Sequence, residues 1–288
     1  MSTDQQKISL IECPRDAMQG WKNSIPTPKK IEYLNALLKV GFDVLDFGSF
    51  VSPKAIPQMA DTMEVISKLD LRDTKTGLLA IVANARGAEE ASEFDQIAYL
   101  GFPFSVSETF QQRNTNSSMA QSLLRVQEIQ DICEETKKKA VIYISMGFGN
   151  PYGDPWSEEI VFEWVEKVVS LGVDIISLAD TVGVATPQQV ERITKHLVDS
   201  LTGITVGVHL HSTPQNRADK IDAALQAGCL RFDGALKGIG GCPMANDELV
   251  GNIDTEWMIE HFEKAGYELK LNREALAKAS QLATEIFI

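Results

Sequence analysis

Two histidines one residue apart, His209 and His211, sit at the end of the β-branched run Ile204–Leu210. In an extended strand residues i and i+2 face the same side, so both imidazoles can share one ion. The chain has only four histidines, and two of them fall at this one strand end. The plainer alternative is a pair of buried, hydrogen-bonded rings. A carboxylate that could complete an ion site is Asp16, which follows Arg15 after the first β-branched run. Asp16 by itself would more often cap a helix or a turn; beside Arg15 it becomes a candidate ligand for a hard cation. One Asp, two His and an amide oxygen would leave room for substrate oxygens and water. Such a mixed nitrogen and oxygen set suits Mg or Mn, with Zn or Co as alternatives.

Further polar residues fall where strands should end: Asp46, Asn84, Ser107-Glu108, Ser145 and Asp180. A scaffold has no need for that concentration. Asp180-Thr181 reads equally as a helix cap or as a group that orients a metal ligand. Gly238–Pro243 (GIGGCP) has three readings: a phosphate cradle, a lid carrying the thiol of Cys242, and a plain turn.

The elements that must position these groups alternate along the chain. Strands are expected near Ile8–Glu12, Val44–Phe47, Gly77–Ala83, Gln96–Phe102, Val141–Met146, Ile175–Leu178, Ile204–Leu210 and Leu230–Leu236. Helical periodicity lies between them. One helix begins at Thr27 as N-cap with Pro28 in the first turn, and Gly41 ends it. A second covers Ser117–Lys139, with Leu123, Leu124, Val126, Ile129 and Ile132 inward; a third covers Glu158–Ser170; a fourth follows the cap pair Thr186-Pro187. Eight strands alternating with helices over 288 residues predict an α/β chain folded as one (β/α)8 TIM barrel. An open doubly wound sheet would need a glycine-rich turn after the first strand, and Cys13-Pro14-Arg15-Asp16 is not one. The stretch from about residue 254, with helices at Thr255–Gly266 and Asn272–Phe287, is expected to pack on the barrel as part of the same domain, 1–288.

The chain is 44% apolar with a formal net charge of −13, which repels nucleic acid and anionic membranes. A small-molecule partner is expected instead; a homodimer is compatible with the composition. Cys13, Cys133, Cys229 and Cys242 form no CxxC pair, and the opening MSTDQQK lacks an apolar leader. A reducing, cytoplasmic setting is the simplest reading.

The segments Cys13–Gln19 (CPRDAMQ), Ser49–Lys54 (SFVSPK), Pro57-Gln58-Met59, Asp180–Gly183 (DTVG), His209-Leu210-His211 and GIGGCP resemble the hydroxymethylglutaryl-CoA lyase family, in that family's order and over nearly the whole chain. The resemblance implies a carbon–carbon lyase that splits 3-hydroxy-3-methylglutaryl-CoA into acetyl-CoA and acetoacetate, a reaction of leucine degradation and ketone-body formation. It implies a divalent metal held by Asp16, His209, His211 and Asn252. It also implies Arg15 at the thioester oxygen, Cys242 on a mobile loop near the reacting carbon, and active-site carboxylates at Asp46 and Asp180. Glu256 matches a further family glutamate. Retro-aldol chemistry agrees with that set: a hydroxyl must lose its proton, a thioester enolate must be stabilised, and its carbon must then be protonated.

The chain departs from the family pattern at Ala17 for Gly, Asp46 for Glu, Ser212 for Asp and Asn150 for Cys, and it spaces Cys242 and Asn252 one residue further apart. These changes leave another acyl-CoA open as substrate. A condensing synthase of the same superfamily and a non-catalytic metal- or CoA-binding barrel are the rival readings.

Overall fold

The computed structural model describes residues 7–241 and 250–287. Eight strands, β1 (Ser9–Glu12), β2 (Val44–Phe50), β3 (Gly77–Val82), β4 (Ile97–Ser105), β5 (Lys139–Ser145), β6 (Ile175–Asp180), β7 (Thr205–Leu210) and β8 (Arg231–Gly234), close into one barrel in sequence order. All eight pairings are parallel, the last joining β8 to β1. The fold is therefore the TIM barrel that the alternation predicts.

Between the strands run α1 (Pro14–Gln19), α2 (Thr27–Leu38), α3 (Thr62–Ile66), α4 (Ala85–Ser92), α5 (Glu108–Thr115), α6 (Met119–Thr136), α7 (Glu158–Val169), α8 (Pro187–Ser200) and α9 (Arg217–Gln226). Helices α10 (Thr255–Lys264) and α11 (Arg273–Ile286) follow β8. Among the described residues no helix is long and apolar enough to cross a membrane.

Strand alternation sorts the apolar residues into two shells. Leu10, Phe102, Phe104 and Phe232 face outward and pack with helix residues such as Val161, Val165 and Ile193. Ile11, Cys13, Val44, Leu79, Val141, Tyr143 and Ile175 fill the barrel itself. The polar groups at the strand ends thus stand on a packed floor rather than over a pore.

Several local expectations are corrected. Thr27 is not the cap of α2. Pro26, extended at φ −60° and ψ 139°, takes the cap position, and the Thr27 hydroxyl donates to Asp61 instead. Leu124 is 68% exposed, because α6 buries the stripe Ser122, Val126, Ile129 and Cys133, and Leu124 lies about 200° round from Ser122. Helix α6 stops short of Lys139 because Lys137 adopts a left-handed conformation, φ 58°. β2 runs on to Phe50 through a register shift between Asp46 and Gly48. Gly48 is needed there, since a Cβ would sit 2.7 Å from the Thr62 methyl. β8 is shorter than expected, and Leu236–Gly238 makes a single 3-10 turn. Thr186 does cap α8, in a reciprocal box with Gln189.

Candidate active site

Arg15 and Asp16 do not end a strand. They lie in the short helix α1, which Pro14 opens directly after β1. That helix turns both side chains into a cavity of about 440 Å³ at the C-terminal mouth of the barrel, lined also by Asn84, Tyr143, Ser145, His209 and His211. One ligand atom each from Asp16, His209 and His211 lies within 4.8 Å of the others, all three residues being buried.

Each imidazole is oriented from behind. His211 Nδ1 lies 2.8 Å from the Val250 carbonyl, so it carries the proton and leaves Nε2 with a lone pair. His209 Nδ1 lies 3.2 Å from Asp233 Oδ2, and the other oxygen of Asp233 accepts from Arg231 Nη1 at 3.0 Å. Metal-binding histidines are held by just such outer partners. Burial opposes a charge on either ring. At His209 the bond and charge of Asp233, then Asp16, outweigh it and push the pKa up. At His211 burial and the neighbouring His209 win, and the pKa falls. Burial alone would raise the Asp16 pKa, but Arg15, His209, His211 and the Asn252 amide pull it down to about 2.

Cys13, His209 and Asp233 form a second close cluster. Burial, ahead of the charges of Asp233 and Asp46, pushes the Cys13 thiol well up. It therefore stays a protonated core group rather than a thiolate ligand.

Asn252 reaches the site through the returning chain. The segment 250–254 docks on the mouth, with an antiparallel bridge between His211 and Asn252 and a bond from Ser212 N to Gly251 O of 3.0 Å. Asn252 Nδ2 donates to Asp16 Oδ2 at 2.7 Å and to Ile239 O at 2.9 Å. The glycine loop closes over this pair. Gly240, at φ +115°, sits where a Cβ would lie 2.3 Å from Asn252 Nδ2 and 2.9 Å from Asp16 Oδ2. Close approach, not a plain turn, explains that glycine. Cys242 lies outside the described residues.

Arg15 is gripped on three sides. Its Nε donates to both oxygens of Asp46 at 3.1 and 3.0 Å, Nη2 also donates to Asp46, and Nη1 donates to Asp16 at 3.2 Å. A guanidinium has five N–H groups, so two remain for a substrate oxygen. Burial works against the charge, but Asp46 and Asp16 more than offset it and keep Arg15 protonated. Burial, set against the pairing with Arg15, pushes Asp46 up to about 6.

Asp180 is placed differently from the other sequence candidates. Ala179 and Thr181 line the cavity, while Asp180, between them, points away to Lys220 at 2.7 Å. Lys220 is 1% exposed, and it spends its three donors on Asp180, the His211 carbonyl (2.9 Å) and the Gly183 carbonyl (3.2 Å). Ser107 and Glu108 serve α5 and α6 rather than the mouth: Ser107 caps α5, and Glu108 accepts from Met119 N. Glu256 pairs with Lys237 at 2.9 Å in the first turn of α10. Asn150, where the family has Cys, folds its own loop by accepting from Tyr152 N and Asp154 N.

The sequence reading missed Asp233, Arg231, Lys220 and the cavity residue Arg113. Arg231 and Asp233 repeat the i, i+2 spacing that marks the histidines, and that was the available signal. Lys220 and Arg113 lie on helices, where nothing in the spacing sets them apart from surface charges.

Fold and mouth together define the class: a (β/α)8 barrel whose C-terminal end offers a carboxylate and two imidazoles to a divalent cation beside a fixed arginine. The chain belongs to the HMGL-like family, whose model matches residues 8–283. It is 31% identical to the hydroxymethylglutaryl-CoA lyase YngG of Bacillus subtilis, over 97% of this chain and 93% of that protein. It is 32% identical to the mitochondrial hydroxymethylglutaryl-CoA lyase of Bos taurus, over 97% and 85%. Among solved structures, an HMG-CoA lyase from Acinetobacter baumannii in complex with coenzyme A and 3-methylmalate superposes with a TM-score of 0.92 at 33% identity, covering 100% of this chain and 93% of that one. The resemblance drawn from the motifs therefore holds over the whole fold.

Proposed function

We propose that this chain is a carbon–carbon lyase that cleaves 3-hydroxy-3-methylglutaryl-CoA to acetyl-CoA and acetoacetate. The observation that carries this reading is the convergence of Asp16, His209 and His211 beside Arg15, in a chain 31–32% identical to lyases of that name over nearly its full length.

The donor set fits a divalent cation. Both rings have Nδ1 committed elsewhere, both are free to offer Nε2, and Asp16 is ionised at neutral pH. Asp16, His209 and His211 would hold it, with Asn252 completing the set through its amide oxygen. Mg or Mn suits a site that must also take substrate oxygens, with Zn or Co as alternatives. When bound, the ion supplies Lewis acidity that lowers the pKa of the tertiary hydroxyl.

The chain's own residues do the rest. The tertiary hydroxyl gives up its proton to water in the mouth; His209 serves this step as a ligand of the ion, since its Nδ1 is committed to Asp233 and its Nε2 to the cation. The bond between C2 and C3 breaks, leaving a ketone and a thioester enolate. Arg15 directs its two remaining N–H groups at the thioester oxygen, where negative charge grows. Asp46 fixes the guanidinium plane, and Asp180 acts at one remove, through Lys220, on the His211 backbone. Cys242 is our candidate to protonate the enolate carbon, giving acetyl-CoA. The three described cysteines are free and buried, which suits a reducing, cytoplasmic setting.

Incubation with 3-hydroxy-3-methylglutaryl-CoA and Mg or Mn should yield acetoacetate, and chelation should abolish it. Condensation of an acyl-CoA with a 2-oxo acid would identify a synthase instead. Coenzyme A binding without turnover of either kind would identify a binding protein.

A further inference from the structure

Among the described residues the walls of the mouth cavity contain two arginines, and they differ in kind. Arg15 has its charge matched by Asp16 and Asp46. Arg113, on α5, makes no salt bridge among the described residues. The carboxylate whose charge it feels, Asp154, is already taken by Ser107 Oγ, Thr109 N and Thr109 Oγ1. Arg113 instead lies over the ring of Tyr152, its guanidinium carbon 4.5 Å from the centroid. Tyr152 in turn stacks on Phe110, centroids 6.3 Å apart and planes 15° from parallel. Phe110 is 1% exposed and itself lines the cavity.

This stack holds a flat cation by its face and leaves its N–H edge for a fork of oxygens. Its position in the barrel matters as much. In a closed barrel of eight strands in sequence order, β4 stands opposite β8. Arg113 follows β4, whereas the ligand cluster comes from the ends of β1 and β7, on either side of β8. A substrate bound at the cluster must therefore extend toward Arg113 if it fills the cavity. Asn114 and Asn116 flank it on the same wall as neutral partners.

We propose that Arg113 anchors an oxyanion of the substrate from the wall opposite the metal-ligand cluster, as a specificity-determining residue of the lyase site. A 3-hydroxy-dicarboxylic acyl-CoA carries two sources of that chemistry: the free carboxylate of its acyl group and the phosphates of coenzyme A. The proposal rests on the lyase reading for its substrate class. In a chain of net charge −13, a cation in the mouth cavity without a salt-bridge partner among the described residues also helps an anionic ligand approach.

The test uses the full chain loaded with Mg, as wild type, Arg113→Gln and Arg113→Lys. Binding of free coenzyme A and of free 3-hydroxy-3-methylglutarate is titrated calorimetrically, and KM and kcat are measured on the acyl-CoA. Loss of a charge-assisted bond should weaken the anchored ligand about 10–100-fold. KM should rise by a similar factor with kcat within about threefold, the mark of an interaction made equally in ground and transition states. Lys should recover only part of the loss, since it cannot fork. Weakening confined to the diacid assigns the acyl carboxylate; weakening confined to coenzyme A assigns the phosphates. Both titrations can be read without turnover, so a wild type that fails to cleave the acyl-CoA sinks the lyase reading and leaves this test standing. Binding of both ligands to Arg113→Gln within twofold of wild type overturns the proposal. Unchanged Mg affinity in the variant guards against a general collapse of the mouth.

Discussion

Asp233→Asn is the perturbation that best separates what positions the site from what holds the fold together. The Asp233 side chain has no solvent exposure, and its two oxygens serve two different partners, His209 Nδ1 at 3.2 Å and Arg231 Nη1 at 3.0 Å. The amide keeps the shape and removes the charge. Two losses should follow, on different scales. His209 loses the carboxylate that fixes its tautomer and ring plane, so metal affinity should fall about 10–100-fold, or roughly 1.4–2.7 kcal/mol. Arg231 is left buried without a counter-charge, which should cost about 3–5 kcal/mol of stability. Chelator competition measures the first and denaturant unfolding of the metal-free protein the second. The double variant Asp233→Asn with Arg231→Met removes the unmatched charge as well. It should regain most of the stability and none of the metal affinity. If the double variant also regains metal affinity, or if Asp233→Asn binds metal within threefold of wild type, then Asp233 does not act on His209 and the reasoning fails.

Three further outcomes follow from the same geometry. Arg15→Gln should lower kcat about 10²–10³-fold, because its free N–H groups act where charge develops; a raised KM with kcat unchanged would show uniform binding instead. Gly240→Ala should weaken metal binding more than tenfold by driving a methyl into Asn252 and Asp16. Gly203→Ala, at φ +86° with nothing within 4 Å, should cost only about 1–2 kcal/mol of stability; equal metal affinity in the two variants would contradict the contact. Burial pushes Glu12 up to about 8 despite its bonds from Thr255 and Leu236 N, so the folded state keeps a proton that the unfolded chain releases near pH 4.5. Stability should therefore fall as pH rises from 4.5 to about 8, by roughly 5 kcal/mol in all, and then level off. Glu12→Gln should match wild type at pH 5 and exceed it at pH 8.5; a constant gap between the two across that range would place the carboxylate's pKa elsewhere.

Much of the fold was legible because its signals are local. Alternating periodicity, the Thr186-Pro187 cap and short β-branched strand runs need no tertiary context. Where the reading slipped, a long-range partner decided. Asp61 takes the Thr27 hydroxyl, and the packing of α6 against the sheet chooses which of two adjacent leucines, Leu123 or Leu124, turns inward. The site shows the same division. His209 and His211 announce themselves by an i, i+2 spacing. Asp16 needed its neighbour Arg15 to be noticed. Asn252 entered only by resemblance, because a distant loop residue has no periodicity to betray it. Lys220 was invisible for a different reason: a lysine on a helix reads as solvated surface, and only the three acceptors gathered from β6, the residue after β7 and the loop after β6 make it a buried strut. Asp180 was legible as important but not as facing away from the cavity, since the side a strand-end residue takes depends on where the strand stops.

The polar groups of the mouth share one pattern. Arg15, His209 and His211 are each backed by a partner that faces away from the cavity: Asp46 behind Arg15, Asp233 and Arg231 behind His209, Val250 and the Lys220–Asp180 pair behind His211. Buried pairs of this sort contribute little to stability, because the cost of taking both charges from water offsets their attraction. The apolar shells around and inside the sheet hold the barrel together, and the pairs set angles. Their charges also fail to balance. Within the ligand cluster and its backing, Asp16, Asp46 and Asp233 stand against Arg15 and Arg231, which leaves one negative charge unmatched when both imidazoles are neutral, while Arg113 stands apart on the opposite wall. A divalent cation turns that deficit into a surplus of one positive charge. The ion therefore adds two positive charges to the pull that Arg113 already exerts on an anionic substrate from the opposite wall. The affinity for an acyl-CoA and the affinity for the metal should therefore rise and fall together, and this coupling would show as tighter coenzyme A thioester binding to the metal-loaded chain than to the metal-free chain, by a factor that shrinks as salt is raised; equal binding to both at low salt would refute it.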